Sequence, residues 1–529
     1  MSKIIDFLKI LKPDTKFHEV RDGYHSFCKK IEDTPVDLLV SKTETLHTWA
    51  NKQGAIYHFN QGLDSLCERN IVYAKSYFNE LLSLKGTSHL EPLDRLLSGI
   101  FKKDYKRASS EILRLINSDN EDHKSKGITT VGFLDLSSKE CDDFKATIET
   151  ELSNLIEDST TNKILANVLF AYRNNRKELP NADKHIETLM QIDSDDVRYQ
   201  LYQLLLYELK IEEESDFFKN VLFKLTNLNT EYVGLYNSLS YQLSRLTTSH
   251  YDTVKQFLNI WVETSPENAS KIKLFNSVFN EIYDAKKQQF DELITEWLNN
   301  NNINFQVAVF NVLRELSYRN AHHIQLSSRL LKTYSYIDIE FIVHKIIGFI
   351  YEKDMLTTLL YSILETKYTE KEVVQLVGSR LVNDVIFNYY SAIEFLKEKK
   401  KDAVKPLKKI IDEIVFHGEK FYEAYSDLDI LKEFQPSEMR LNHMNKIQSK
   451  KFRKDYEENE ANDTGFLSML TTLHFRSGKT SFGKFEGEYS GHMEPKLISH
   501  SAEMPRGEFI DPLGQKLIRL EGRAFVRRK

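Results

Sequence analysis

The sequence predicts an all-α fold: a right-handed superhelical α-α solenoid followed by a small C-terminal module of irregular or β-hairpin-containing structure. Three observations predict it. Glycine is scarce, 19 in 529 residues, where average usage near ~7% predicts about 37, and proline, at 10, is rarer still. Sheets need both residues at their turns, whereas helices joined by short polar loops need few of either. Apolar residues recur at spacings of three and four through most of the chain, the period of one helix face. Finally, 8 of the 19 glycines fall in the last 65 residues, from Gly465 to Gly522, which marks a change of structural grammar.

The elements follow in order. Residues 1–125 form an N-terminal helical region, with Ile71, Ala74, Tyr77, Phe78, Leu81 and Leu82 on one side of a helix. The polar stretch Asn117–Lys126 reads as a loop that closes it. Residues 126–436 carry consecutive stripes, among them Val197, Leu201, Leu204 and Leu205; Val254, Phe257, Leu258 and Trp261; Phe290, Leu293, Ile294 and Trp297; and Val382, Val385, Ile386, Tyr389 and Ile393. Asp195 is a candidate N-cap, Ser265 before Pro266 is a second, and Thr369 with Glu372 has capping-box spacing. One helix begins about every 18 residues, so a pair spans about 36 to 40.

Residues 437–464, a charged linker segment dense in Lys and Glu, read as a solvated helix or a flexible linker. Residues 465–529 form the Gly- and aromatic-rich module. β-Branched and aromatic residues flank Ser477-Gly478, which predicts a hairpin there, and Pro-Arg-Gly and Asp-Pro-Leu-Gly turns surround Phe509 and Ile510. So short a module cannot build much core alone and is expected to dock on the helical array or on a partner.

The pair length lies between those of tetratricopeptide and HEAT or armadillo repeats. By helix rhythm, residues 130–425 resemble the HEAT/armadillo-like superfamily, without a repeated Asp-Val or Arg signature. That resemblance implies stacked antiparallel helix pairs presenting a long surface to another protein.

Composition bounds the function classes. Hydrophobic residues make up 41% and charged residues 28%, ordinary for a folded chain. Cys28, Cys67 and Cys141 are odd in number, with no CxxC, so neither a disulfide framework nor a thiolate zinc site is indicated. The N-terminal apolar stretch is interrupted by Asp6 and Lys9 and is too short for a signal peptide, and no long apolar run follows. A cytoplasmic protein without a membrane span is the expectation. Net charge is −6, yet Arg440–Lys529 holds 17 Lys and Arg against 12 Asp and Glu, a local +5 that leaves −11 for the rest. Phosphate contacts, if any, are expected in this C-terminal part.

No motif fixes a reaction. Gly478-Lys479-Thr480 matches only the end of a phosphate-binding loop, because the position five residues before Gly478 is Leu473 where glycine is required. His474, His492 and His500, with Glu494, Glu503 and Asp511, lack metal-ligand spacing, and His322-His323 reads as decoration of a helix start. Glu212, Glu213 and Glu214, like Glu457, Glu458 and Glu460, are adjacent carboxylates in one wet environment rather than an acid and base pair. No metal and no cofactor are therefore assigned.

Two basic clusters remain: Lys397, Lys399, Lys400, Lys401, Lys405, Lys408 and Lys409, and then Lys446, Lys450, Lys451, Arg453 and Lys454. The second, with Arg476 and Lys479, is the candidate nucleic-acid contact, since basic residues near exposed aromatics grip phosphates and stack bases. Phe475, Phe482, Phe485, Tyr489 and Phe509 are the candidate partner-binding aromatics. The reading is a non-catalytic scaffold or adaptor subunit of a multi-protein assembly whose partner is another protein. Two alternatives stand beside it: a nucleic-acid-associated accessory subunit, and an enzyme with its site around His474, His492, Arg506, Glu508 and Asp511. The abundance of Lys, Asn and Ile is that of an AT-rich, bacterial genome, where arrays of this size accompany multi-gene systems, including defence against phage, an inference by analogy.

Overall fold

The structure, a computed structural model, describes residues 7–84, 89–158, 161–317, 324–426, 437–462, 481–485, 488–493 and 505–527. Helices dominate the described residues. The chain folds as two compact units, Met1–Gln242 with His250–Thr264, and Leu243–Ser249 with Ser265–Lys529.

In the first unit the helices are α1 (Phe17–Lys29), α2 (Val36–Lys52), α3 (Ile56–Arg69), α4 (Ile71–Ser83), α5 (Leu93–Phe101), α6 (Tyr105–Ile116) and α7 (Glu121–Val131). They continue as α8 (Asp142–Glu157), α9 (Asn162–Asn174), α10 (Ala182–Leu189), α11 (Asp195–Tyr207), α12 (Ser215–Lys224), α13 (Val233–Leu246, whose last turn belongs to the second unit) and α14 (Tyr251–Thr264). The second unit holds α15 (Pro266–Ser270), α16 (Asn276–Ala285), α17 (Lys287–Leu298), α18 (Ile303–Ser317), α19 (Ser328–Thr333), α20 (Tyr336–Phe349) and α21 (Lys353–Lys367). After these come α22 (Lys371–Arg380), a π-helical turn at Leu381–Ile386, α23 (Ala392–Asp402), α24 (Lys405–Ser426), α25 (Glu438–Asn462), α26 (Arg506–Ile510) and α27 (Pro512–Ala524).

Packing within each unit skips one helix at a time. In the first, α1, α3, α5, α7, α9 and α11 each pack on the next of the series, while α2 meets α4, α6 meets α8 and α12 meets α14. In the second, α16, α18, α20, α22 and α24 make one series, and α17, α19, α21 and α23 the other. The cause is geometric: a helical pair has an apolar stripe on each helix and covers only part of it, so the next pair supplies the missing wall.

Side-chain hydrogen bonds repeat the same step. Thr43 bonds Tyr77, Ser98 the Phe133 carbonyl, Arg329 Glu292, Lys353 Ser391 and Tyr422 the Ile386 carbonyl, at offsets of 34, 35, 37, 38 and 36 residues. Three of these offsets fall within the pair length of 36 to 40 read from the apolar rhythm, and two lie just below it. The cores are those stripes: Val254, Phe257, Leu258 and Trp261, and Phe290, Leu293, Ile294 and Trp297, are all buried. Cys28, Cys67 and Cys141 are buried free thiols. Among the described residues no helix is long and apolar enough to cross a membrane.

Several local expectations are corrected. Asn117–Lys126 is not a loop, because Asn120 accepts hydrogen bonds from the Asp122 and His123 amides and starts α7 inside it. The cap before α11 is Ser194 rather than Asp195, which pairs instead with Arg198 at 2.7 Å. Thr369 and Glu372 form no capping box, since the residue before α22 is Glu370; the capping box present is Ser335 with Asp338. The stripe through Val382 and Ile393 is broken between the π-helical turn and α23. Ser265-Pro266 caps α15 as read, the Asn268 amide donating to Ser265 Oγ at 3.1 Å. In the C-terminal module, Ser481–Phe485 and Glu488–Met493 are antiparallel strands that pair Phe485 with Glu488, downstream of Ser477-Gly478, which lie outside the described residues.

Trp261 is fully buried. Trp261→Ala removes one of the largest core side chains of the first unit and is predicted to destabilise it by about 3–5 kcal/mol. The check is its urea-unfolding midpoint, and an unchanged midpoint contradicts this packing.

Candidate functional site: a C-terminal helix clamped on one face

α27 starts where Asp511 caps it, the Gly514 amide donating to Asp511 Oδ1 at 2.9 Å, with Pro512 in the first turn. It lies along α20 within the second unit. α20 reads YIDIEFIVHKIIGF and is buried nearly all round, from Ile339 to Phe349. A helix apolar on every side must be covered on every side, and α27 covers the side its array neighbours leave open.

The two helices touch through glycines. A Cβ on Gly522 would stand 2.5 Å from the His344 carbonyl oxygen and 3.0 Å from Gly348 Cα, and one on Gly348 would stand 2.6 Å from the Arg523 amide nitrogen. Backbone meets backbone there, a distance no side chain permits.

Each helix ends at this contact, and each end is closed by a cation from the other. Lys345 Nζ, on α20, donates to the Arg523 carbonyl at 2.5 Å and the Phe525 carbonyl at 2.8 Å. Arg523 Nε, on α27, donates to the Gly348 carbonyl at 2.8 Å. The carbonyls at a helix C-terminus lack intrahelical partners and carry the negative end of the dipole, so a cation there satisfies both needs. Lys345 is almost wholly buried, and burial lowers its pKa to about 8.

Further contacts extend the clamp along the chain. The Phe525 ring stacks on His344, centroids 3.9 Å apart and planes 6° from parallel. Burial holds the His344 pKa below its ordinary value, so the ring is neutral. Its Nδ1 lies 2.8 Å from the Glu340 carbonyl and its Nε2 3.3 Å from Arg380 Nη2, which sets Nδ1 as donor and Nε2 as acceptor. Arg527 donates to Asn301 Oδ1 at 2.9 Å and to the carbonyl and side chain of Asn299. Before α27, Asn388 accepts from the Arg506 and Gly507 amides at 3.2 and 2.9 Å and donates to Gln515 Oε1 at 3.3 Å. The hydrogen bonds made by residues 506–527 to the rest of the unit join positions 118 to 228 apart, far beyond the offset of one helix pair.

The other face of α27 is bare. Leu513, Leu517 and Leu520 are 74%, 59% and 47% exposed, and Val526 beyond them 74%. Their spacing of four and three makes one stripe, so an immobilised helix presents a row of leucines to solvent. A second apolar surface lies between α22 and α24, a groove of about 760 Å³ with Val374, Val382, Ile414 and Phe421 among its lining and Lys371 and Lys420 beside them.

The residues singled out by sequence divide differently. Lys446, Lys450, Lys451, Arg453 and Lys454 are exposed on α25. Phe482, Phe485 and Tyr489 lie on the two strands and Phe509 on α26, with no description of their side chains, and Phe475, Arg476 and Lys479 lie outside the described residues. So do His474, His500, His322 and His323. The lysine-rich cluster on α23 and α24 joins those helices, Lys397 to Glu419 at 2.6 Å and Lys400 to Asp412. Glu213 pairs with Lys210 and Glu214 with Arg176. Arg506 lies over the Tyr422 ring, Glu508 pairs with Arg519, and Asp511 caps α27, so all three have structural partners. Among the described residues no group of His, Cys, Asp and Glu is placed to hold a metal ion.

The leucine stripe was within reach of sequence reasoning. Asp511-Pro512 is a helix start, and Leu513, Leu517 and Leu520 have helical spacing; reading Asp-Pro-Leu-Gly as a turn concealed both.

No family model and no curated protein matches the sequence. Among solved structures, the crystal structure of an engineered protein from a structural-genomics consortium matches 79% of this chain and 99% of its own at 12% identity, with a TM-score of 0.21, which carries no weight for the fold.

Lys345→Met removes the donor to two carbonyls while keeping the stem, and is predicted to make residues 512–527 markedly more sensitive to limited proteolysis. Equal protection of both proteins contradicts the clamp.

Proposed function

We propose that this chain is a non-catalytic scaffold subunit, built of HEAT/armadillo-like α-solenoid units, which offers the free leucine face of α27 to an apolar groove on another protein. The observation that carries the reading is the pairing of opposites on one helix: one face held by backbone contacts and reciprocal cations, the other a bare row of Leu513, Leu517 and Leu520. An ordered helix pays less entropy on binding than a free tail, and leucines at helical spacing are the anchors of helix-in-groove recognition. The skipping contact pattern and its recurring offset support the solenoid reading. The groove beside α22 and α24 adds a second apolar surface for the same kind of partner.

A second reading keeps one observation of its own, the exposed row Lys446, Lys450, Lys451, Arg453 and Lys454 on α25. That row suits phosphate contacts, and the nucleic-acid reading requires binding that falls steeply with salt.

The test compares proteins that co-purify with the wild-type chain and with Leu517→Asp from native cells, under nuclease. The expected result is a defined partner reduced at least ~10-fold, about 1.4 kcal/mol, with an unchanged melting temperature because Leu517 is exposed. An identical set of partners contradicts the reading, and salt-sensitive recovery of nucleic acid alone favours the second.

A further inference from the structure

We infer that the second unit carries a binding site for a mononucleotide-sized aromatic phosphate, in the cavity between α18, the α20–α21 connection, α25 and the α26–α27 segment. The cavity measures about 570 Å³, within the range that holds cofactor-sized ligands. Its floor is apolar and buried: Leu313, Ile350 and Met355. Its walls are two half-buried rings, Phe310 and Tyr351, with centroids 5.5 Å apart and planes at 85°. Its rim carries Arg314, Lys451 and Arg519.

The charges at that rim are unequally committed. Arg519 pairs with Glu508 at 2.8 Å and lies over Tyr351, its Cζ 4.2 Å from the ring centroid. Glu352 spends its carboxylate on the start of α21, accepting the Met355 amide at 2.9 Å. Arg314 is exposed, lies over Phe310 at 5.6 Å and reaches Glu315 only at 3.9 Å. Lys451 is exposed on α25. Arg314 and Lys451 therefore face an aromatic, apolar cavity whose two lining carboxylates, Glu352 and Glu508, are engaged by the Met355 amide and by Arg519. A planar base on the ring walls and a dianionic phosphomonoester between Arg314 and Lys451 satisfy both halves of the site, by stacking and by charge-assisted hydrogen bonds. A bare phosphate makes no use of the ring walls, and a neutral ring makes no use of the rim cations. Of the described basic residues read from sequence as phosphate contacts, Lys451 lines this cavity.

The test is calorimetric titration of the full chain with adenosine 5′-monophosphate, adenosine and inorganic phosphate. The expected result is a Kd for the nucleotide below about 1 mM, with each part alone at least ~10-fold weaker. Arg314→Ala and Lys451→Ala, both exposed positions, each weaken nucleotide binding at least ~5-fold at unchanged melting temperature, and Tyr351→Leu weakens adenosine more than phosphate. No heat at millimolar nucleotide, phosphate binding as tightly as the nucleotide, or binding indifferent to both cation variants overturns the proposal.

Discussion

Where α20 and α27 meet at Gly348 and Gly522, two helix C-termini come together, and like ends of two dipoles repel unless positive charge is placed between them. Lys345 and Arg523 supply that charge reciprocally, each donating to carbonyls of the other helix. The glycines are required for the same reason as the cations: without Cβ atoms the backbones come close enough for a lysine to reach two carbonyls beyond its own helix. Remove the contact and α20, apolar on every side, is left partly uncovered, which binds the integrity of the second unit to residues nearly two hundred positions away.

The clamp stands apart from the rest of the architecture because it breaks the rule that builds it. Elsewhere in each unit, neighbours in space are neighbours or near-neighbours in sequence, and hydrogen bonds recur at the offset of one helix pair. The docking of α27 draws on contacts with α20 and with residues before α18, far from it in sequence.

Much of the fold was legible. Helix rhythm located most stripes to the residue, because a buried face must repeat at the helical period whatever its neighbours are: Trp261 and Trp297 sit in the core where their spacing put them. Caps were legible only where side chain and backbone agreed, as at Ser265 with Pro266. They failed at Thr369, where a residue of the right type did not sit at the start of the helix. The polar run at Asn117–Lys126 looked like a loop because charge conceals a helix whose buried face is as short as Ile128 and Val131. The candidate site was less legible still. Its exposed leucine face was hidden by reading Asp-Pro-Leu-Gly as a turn, and its anchor is Lys345, a cation in a largely apolar helix whose role exists only once a distant carbonyl reaches it.

Taken together, the clamp immobilises α27, and the function proposed rests on its having one held face and one free face. The direct measurement is maleimide labelling of single cysteines at positions 517 and 518, in a chain whose native Cys28, Cys67 and Cys141 are buried. Leu517→Cys is predicted to label at least ~10-fold faster than Ile518→Cys under native conditions, since Leu517 is exposed whereas Ile518 is half-buried and lines a small pocket with Ile347, Ile350 and Tyr351. Equal rates at the two positions would mean a helix free on both faces, and would contradict the account.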